Sequence, residues 1–166
     1  MKVSDTCERP SKGDMPRSRR LLCWFYGVTS LVALVGTWHQ NGAYFRTEDG
    51  PLVGFALATA RFWPATLVTP ASTSITVDIG MLLLPLCALM IIESRRLSIR
   101  FVWLYIVLGL LVTISATFPL FLIARERRLA ARGEATRDLG IAPLDALGFA
   151  VIALTMFAFA LWTLVR

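Results

Sequence analysis

The run Phe101–Ala124, FVWLYIVLGLLVTISATFPLFLIA, decides the fold; Arg100 precedes it and Arg125-Glu126-Arg127-Arg128 closes it. It carries no charged residue, and its length meets the roughly 20 apolar residues a helix needs to cross a bilayer. A helix that is apolar all round is a membrane span or the core of a large protein, and this chain is not large. Pro119 interrupts the run and leaves a carbonyl near Ser115 without its helical donor, so a neighbouring helix or water is expected to supply one. Thr113, Ser115 and Thr117 make the same stretch mildly polar.

Working outward, three more blocks have the same character. Leu21–Trp38 follows a polar N-terminal segment. Residues from about Ser74 to Ile92 end at Glu93-Ser94-Arg95-Arg96, and Pro143–Val165 is the last block. Trp24, Tyr26, Trp38, Trp103, Tyr105 and Trp162 lie near block ends, the aromatic-belt pattern of membrane interfaces. Of the 166 residues 56% are hydrophobic and 17% charged, whereas soluble domains run about 45–50% apolar with about 25% charge. The expected fold is therefore an all-α integral membrane protein, a four-helix transmembrane bundle with spans near 21–38, 74–92, 101–124 and 143–165. Residues 1–20, rich in Pro, Ser and Gly with six basic residues, read as a disordered cytoplasmic tail. Arg19-Arg20 before an apolar run is weakly similar to a twin-arginine export signal. The run is too long for a signal core and no A-x-A site directly follows it, so an uncleaved anchor is expected.

Residues 51–69 are apolar but hold Arg61, Pro64 and several threonines, and read as an interfacial or half-inserted helix with Phe55, Phe62 and Trp63 toward lipid. Pro70-Ala71-Ser72 is expected to break the chain, with Ser72, Thr73 or Ser74 capping the next helix. With four spans and a cytoplasmic N-terminus, ten basic residues fall inside and seven outside, a poor bias for the positive-inside rule. A fifth crossing by residues 51–69 would improve it. It would also put Arg61 mid-span at about 2.5–3.5 kcal/mol on insertion scales, so four spans are expected.

The net charge of +6 does not point to nucleic acid, because the cations flank apolar blocks. Arg95, Arg96, Arg125, Arg127 and Arg128 are candidate contacts for anionic lipid headgroups or a partner subunit. Cys7, Cys23 and Cys87 show no CxxC spacing, and the last two read as small buried hydrophobes. One histidine excludes a bis-histidine haem within the chain; no metal or other cofactor is expected. No phosphate-binding loop, HExxH, paired Asp-rich motif or GxSxG occurs.

Asp78 is the one carboxylate inside an apolar span, which makes it a candidate proton carrier or cation partner. Its position near a helix start is the structural alternative. Arg61 is its natural partner, with His39 and Asn41 at the same membrane face. Asp145 reads as helix-start chemistry. Ala146, Gly148, Ala150 and Ala153 form a small-residue face that permits close helix packing, within the bundle or against another protein.

Gly36-Thr37-Trp38-His39-Gln40-Asn41 with Tyr44-Phe45, the later Asp78, Glu93-x-Arg95-Arg96, and Phe118-Pro119-Leu120-Phe121-Leu122 followed by Arg125-Glu126 occur together. Over residues 36–128 this set resembles a family of short bacterial multi-span membrane proteins of unknown function. A further resemblance, to accessory subunits of actinobacterial Mce-type lipid importers, implies a role in lipid transport. The expected function is a non-catalytic accessory subunit of a larger inner-membrane complex, with other membrane subunits and anionic lipids as partners. The alternative is a small membrane enzyme acting on an isoprenoid or other lipid, with Asp78 as acid or base and His39 nearby.

Overall fold

In a computed structural model of the protein, residues 15–45, 60–134 and 140–165 are described, and among them the chain is helical without a strand. The helices are α1 (Arg17–Phe45), α2 (Pro70–Leu97), α3 (Val102–Ala131) and α4 (Pro143–Val165). Each is long and apolar enough to cross a membrane, as the sequence predicts.

Two helix starts differ from expectation. α1 takes up Arg17–Arg20, which the sequence assigns to the tail; the tail before Met15 lies outside the described residues. α2 begins at Pro70 rather than near Ser74. Proline suits the first helical position, where an N–H has no partner to lose. Thr69 is the cap: its hydroxyl accepts from the Ser72 N–H at 3.1 Å, and the Thr69 N–H donates to Ser72 Oγ at 3.2 Å. At the other end Ser98 turns left-handed (φ 53°), as does Phe101 (φ 62°), so the chain reverses within a few residues into α3.

α3 is not straight. It consists of Val102–Leu108, a wide π segment Gly109–Thr113, and Ile114–Ala131. At Thr113 the backbone is extended (φ −174°, ψ 130°). A straight helix would separate Tyr105 from Phe121 by about 24 Å, yet their ring centroids are 5.8 Å apart. Val102, Ile106 and Phe121 share one buried cluster with Met90 of α2. The helix thus goes in and comes back, and Gly109 sits at the fold. A Cβ there would meet Ile114 Cδ1 at 2.8 Å and Thr117 Oγ1 at 2.9 Å. The break expected at Pro119 lies instead at Thr113, and Pro119 is buried within the returning leg. The ingoing leg, Val102 to Thr113, rises about 18 Å, short of a hydrocarbon core of about 30 Å.

The returning leg packs antiparallel to α1. Gly27 lies against Ile123. Ser30, buried, donates its hydroxyl to the carbonyl of Ala116 at 2.9 Å, beside the carbonyl that Pro119 deprives of a donor. Ser30 stands near the middle of α1, so the tip of the α3 hairpin reaches only that far. α4 runs parallel to α1: Phe25 meets Phe149 and Phe157 at 5.1 and 6.3 Å, and Gln40 donates to the Thr163 carbonyl at 3.0 Å. Residues 60–65 are helical, and Phe62 packs on Tyr44 at 5.9 Å. The remainder of the proposed interfacial segment, including Phe55, lies outside the described residues.

The start of α1, the end of α2, both ends of α3 and the start of α4 therefore share one end of the bundle. Of the described arginines, ten (Arg17, Arg19, Arg20, Arg95, Arg96, Arg100, Arg125, Arg127, Arg128, Arg132) stand at that end and one, Arg61, at the other. A reporter fused after Val165 should read the compartment opposite to one fused ahead of Arg17. The same compartment at both positions would contradict this arrangement.

Candidate functional site

The arginine end is organised by two glutamates. Glu126, in the returning leg of α3, is buried, its side chain 4% exposed. Its Oε2 accepts from Arg19 Nη1 at 2.6 Å and its Oε1 from Arg125 Nη1 at 2.9 Å. Arg125 also donates through Nε to Glu93 Oε2 at 2.8 Å, and Arg96 donates to that same oxygen at 2.9 Å. Arg132 extends the chain of bonds, donating to the Arg96 carbonyl at 2.8 Å and to Ser98 Oγ at 3.2 Å. The order Arg19–Glu126–Arg125–Glu93–Arg96 thus joins α1, α3 and α2. Beside it Leu97, Leu129 and Ala130 are buried, with Met15 and Ile99 packed on them.

The reason for this clamp is electrostatic. A carboxylate removed from water needs charge-assisted donors on its oxygens, and Arg19 and Arg125 provide them. Because both glutamates are used in this way, the surplus arginines face outward. Arg20, Arg95, Arg100, Arg127 and Arg128 are exposed. This surface can hold anions; among the described residues no group of three His, Cys, Asp or Glu could hold a metal ion.

Of the lipid or partner contacts read from sequence, Arg96 and Arg125 are engaged in the clamp, while Arg95, Arg127 and Arg128 remain on the surface. The clamp's other members, Arg19, Glu93 and Glu126, were legible only in part. Glu93 and Arg96 have the i,i+3 spacing of a helical ion pair, and Glu126 is the one acid in an otherwise basic run. What sequence does not reveal is that the fold-back of α3 brings that run to Arg19.

Asp78, His39 and Arg61 lie toward the opposite end, all exposed, with Asn41 half-buried. No ion pair joins Arg61 to Asp78, and Asp78 makes no hydrogen bond or ion pair among the described residues. The expected pairing is therefore not formed within this chain. Exposure of both side chains leaves neither pressed against the other by packing. On α4, Ala146, Gly148 and Ala150 are exposed, and only Ala153 of the proposed packing set is half-buried.

The model of a family described as proteins of unknown function, DUF2834, matches residues 25–127. The chain belongs to the DUF2834 family. No curated protein and no solved structure matches it. The DUF2834 match covers most of α1, all of α2 and the α3 hairpin as far as Arg127. Within it lie Glu93, Arg96, Arg125 and Glu126, whereas Arg19 and α4 fall outside.

Glu126→Gln should destabilise the folded protein by about 3–5 kcal/mol, the usual penalty for breaking a buried pair. Arg19→Gln should act in the same direction. In a double-mutant cycle followed by unfolding in detergent, the two losses should be strongly non-additive; simple additivity would mean that the pair does not couple α1 to α3.

Proposed function

We propose that the protein is a non-catalytic accessory subunit of a larger bacterial inner-membrane complex, and that this complex transports lipid. Asp78 is the observation that carries the subunit reading. It lies about 12 Å along the axis from the start of α2, exposed among Ile75, Val77, Ile79, Met81 and Leu82, which are themselves exposed. A carboxylate presented to hydrocarbon costs about 2.5–3.5 kcal/mol on insertion scales. A cation or hydrogen-bond donor on a neighbouring subunit would offset that cost. α4 supports the same reading: none of its residues is buried, and its small residues Ala146, Gly148 and Ala150 leave a smooth outer face.

The orientation we favour puts the arginine end and the N-terminus in the cytoplasm. Ten described arginines against one is the distribution the positive-inside rule describes. Lipid transport is the part supported by resemblance to Mce-type accessory subunits and by a cationic surface suited to headgroups. An enzyme built on Asp78 and His39 receives less support, because both are exposed and Asp78 has no partner among the described residues to tune it.

A single cysteine introduced as Asp78→Cys, in a chain whose native cysteines are replaced, should cross-link to a different polypeptide in native membranes. The matching Leu104→Cys control should give markedly less. Asp78→Asn should weaken co-purification of that polypeptide in mild detergent about tenfold while leaving the amount of inserted protein unchanged. A chain that stays a lone monomer under both treatments would refute the subunit reading.

A further inference from the structure

We infer that the groove between the start of α1 and the returning leg of α3 is a binding site for the phosphate of an anionic phospholipid, taken from the leaflet at the arginine end. The groove has a volume of about 370 Å³ and is lined by Met15, Arg20, Cys23 and Trp24 on one side and Ile123 and Arg127 on the other. It stands apart from Asp78 and does not depend on the subunit reading.

The clamp creates this site. Arg19 and Glu126 bind each other in the interior. Their sequence neighbours Arg20 and Arg127 are turned about 100° around their helices and stand at the rim of the groove. Both are exposed, and neither guanidinium has an ion pair among the described residues. Among the described residues Glu126 is committed to Arg19 and Arg125, and Glu93 to Arg125 and Arg96. The rim is thus doubly cationic, with planar donors that match phosphate oxygens.

One helical turn deeper the character changes. Cys23 and Trp24 follow Arg20 by three and four residues, and Ile123 precedes Arg127 by four, so both walls become apolar in the direction of the membrane interior. Trp24 is 71% exposed, at the depth where an indole meets headgroups. A cationic rim above an apolar floor matches an amphiphile: phosphate between Arg20 and Arg127, acyl chain along Trp24 and Ile123. A free phosphate would gain nothing from the floor, and a neutral lipid would gain nothing from the rim.

The test is native mass spectrometry of the full-length protein, released from detergent containing equal amounts of phosphatidylglycerol and phosphatidylcholine. One phosphatidylglycerol should be retained in preference. The double variant Arg20→Gln/Arg127→Gln should lower its occupancy at least tenfold, and each single variant severalfold. Arg17→Gln/Arg128→Gln, which removes the same charge from the same end, should change occupancy less than twofold. Inorganic phosphate at millimolar concentration should not displace the lipid. Equal loss in both double variants would show diffuse surface charge, and equal retention of the two lipids would show no headgroup site; either overturns the proposal. Displacement by phosphate would likewise overturn it, by assigning the site to a soluble anion. Should the double variant fail to fold, the single variants at these exposed positions decide the matter.

Discussion

Glu126 is buried and negatively charged, and a position of that kind tolerates few arrangements around it. Two guanidinium groups must reach its oxygens, and one belongs to Arg19 at the start of α1. The returning leg of α3 must therefore finish where α1 begins. Glu93 imposes the same condition from α2 through Arg125. If α3 continued straight across the bundle, Arg125 and Glu126 would be carried to the opposite end, and Arg19 and Glu93 would lose these partners. The break at Thr113 and the ion network are two views of one constraint.

The all-α membrane character and the four apolar helices are plain in the sequence because hydropathy over some 20 residues is a strong signal. The direction of α3 is not. Hydropathy measures how much apolar chain there is, and Phe101–Ala124 has enough for one crossing or for two half-depth legs. Pro119 is the natural break by sequence, yet a proline within a helix is accommodated where a neighbour supplies a donor nearby, as Ser30 does at Ala116. The fold occurs where Gly109 allows a close approach and Val112-Thr113-Ile114 brings β-branched residues together. One signal of it was legible: four straight crossings divide the basic residues ten to seven, too even for the positive-inside rule. Bringing Arg125, Arg127, Arg128 and Arg132 to the same end as Arg95 and Arg96 removes that conflict without placing Arg61 in mid-membrane.

Candidate residues divide along the same line. Arg96 and Arg125 are recognisable as flanking cations, but their role as clamp members depends on contacts 32 and 107 residues apart in sequence, Arg125 to Glu93 and Arg19 to Glu126. Local spacing shows only Glu93 with Arg96. Asp78 is conspicuous for the opposite reason, since a charge within an apolar run is visible without any knowledge of the fold. Its surroundings are not visible in that way, and the structure leaves it on the outer surface of α2.

The family match ends at Arg127, just after the clamp residue Glu126. What lies within it is α1 from Phe25 onward, α2 and the α3 hairpin, with α2 and α3 joined at one end by the Glu93 pairs and in the middle by Met90, Ile106 and Phe121, while Arg19, which ties α1 to Glu126, lies just outside. α4 lies outside the match and, among the described helices, rests on α1 alone, through the Phe25 rings and the Gln40–Thr163 bond. Among the described residues α1 and α2 do not touch directly; the hairpin stands between them and reaches only to the level of Ser30. Beyond its tip the two helices continue without mutual packing, and it is on this half of α2 that Asp78 sits. The half of the bundle that joins α1, α2 and the α3 hairpin is thus the half that ties Glu93 and Glu126 into ion pairs and turns Arg20, Arg95, Arg100, Arg127 and Arg128 outward. The other half carries Asp78, which has no ion pair among the described residues, and there the described parts of α1 and α2 stand apart.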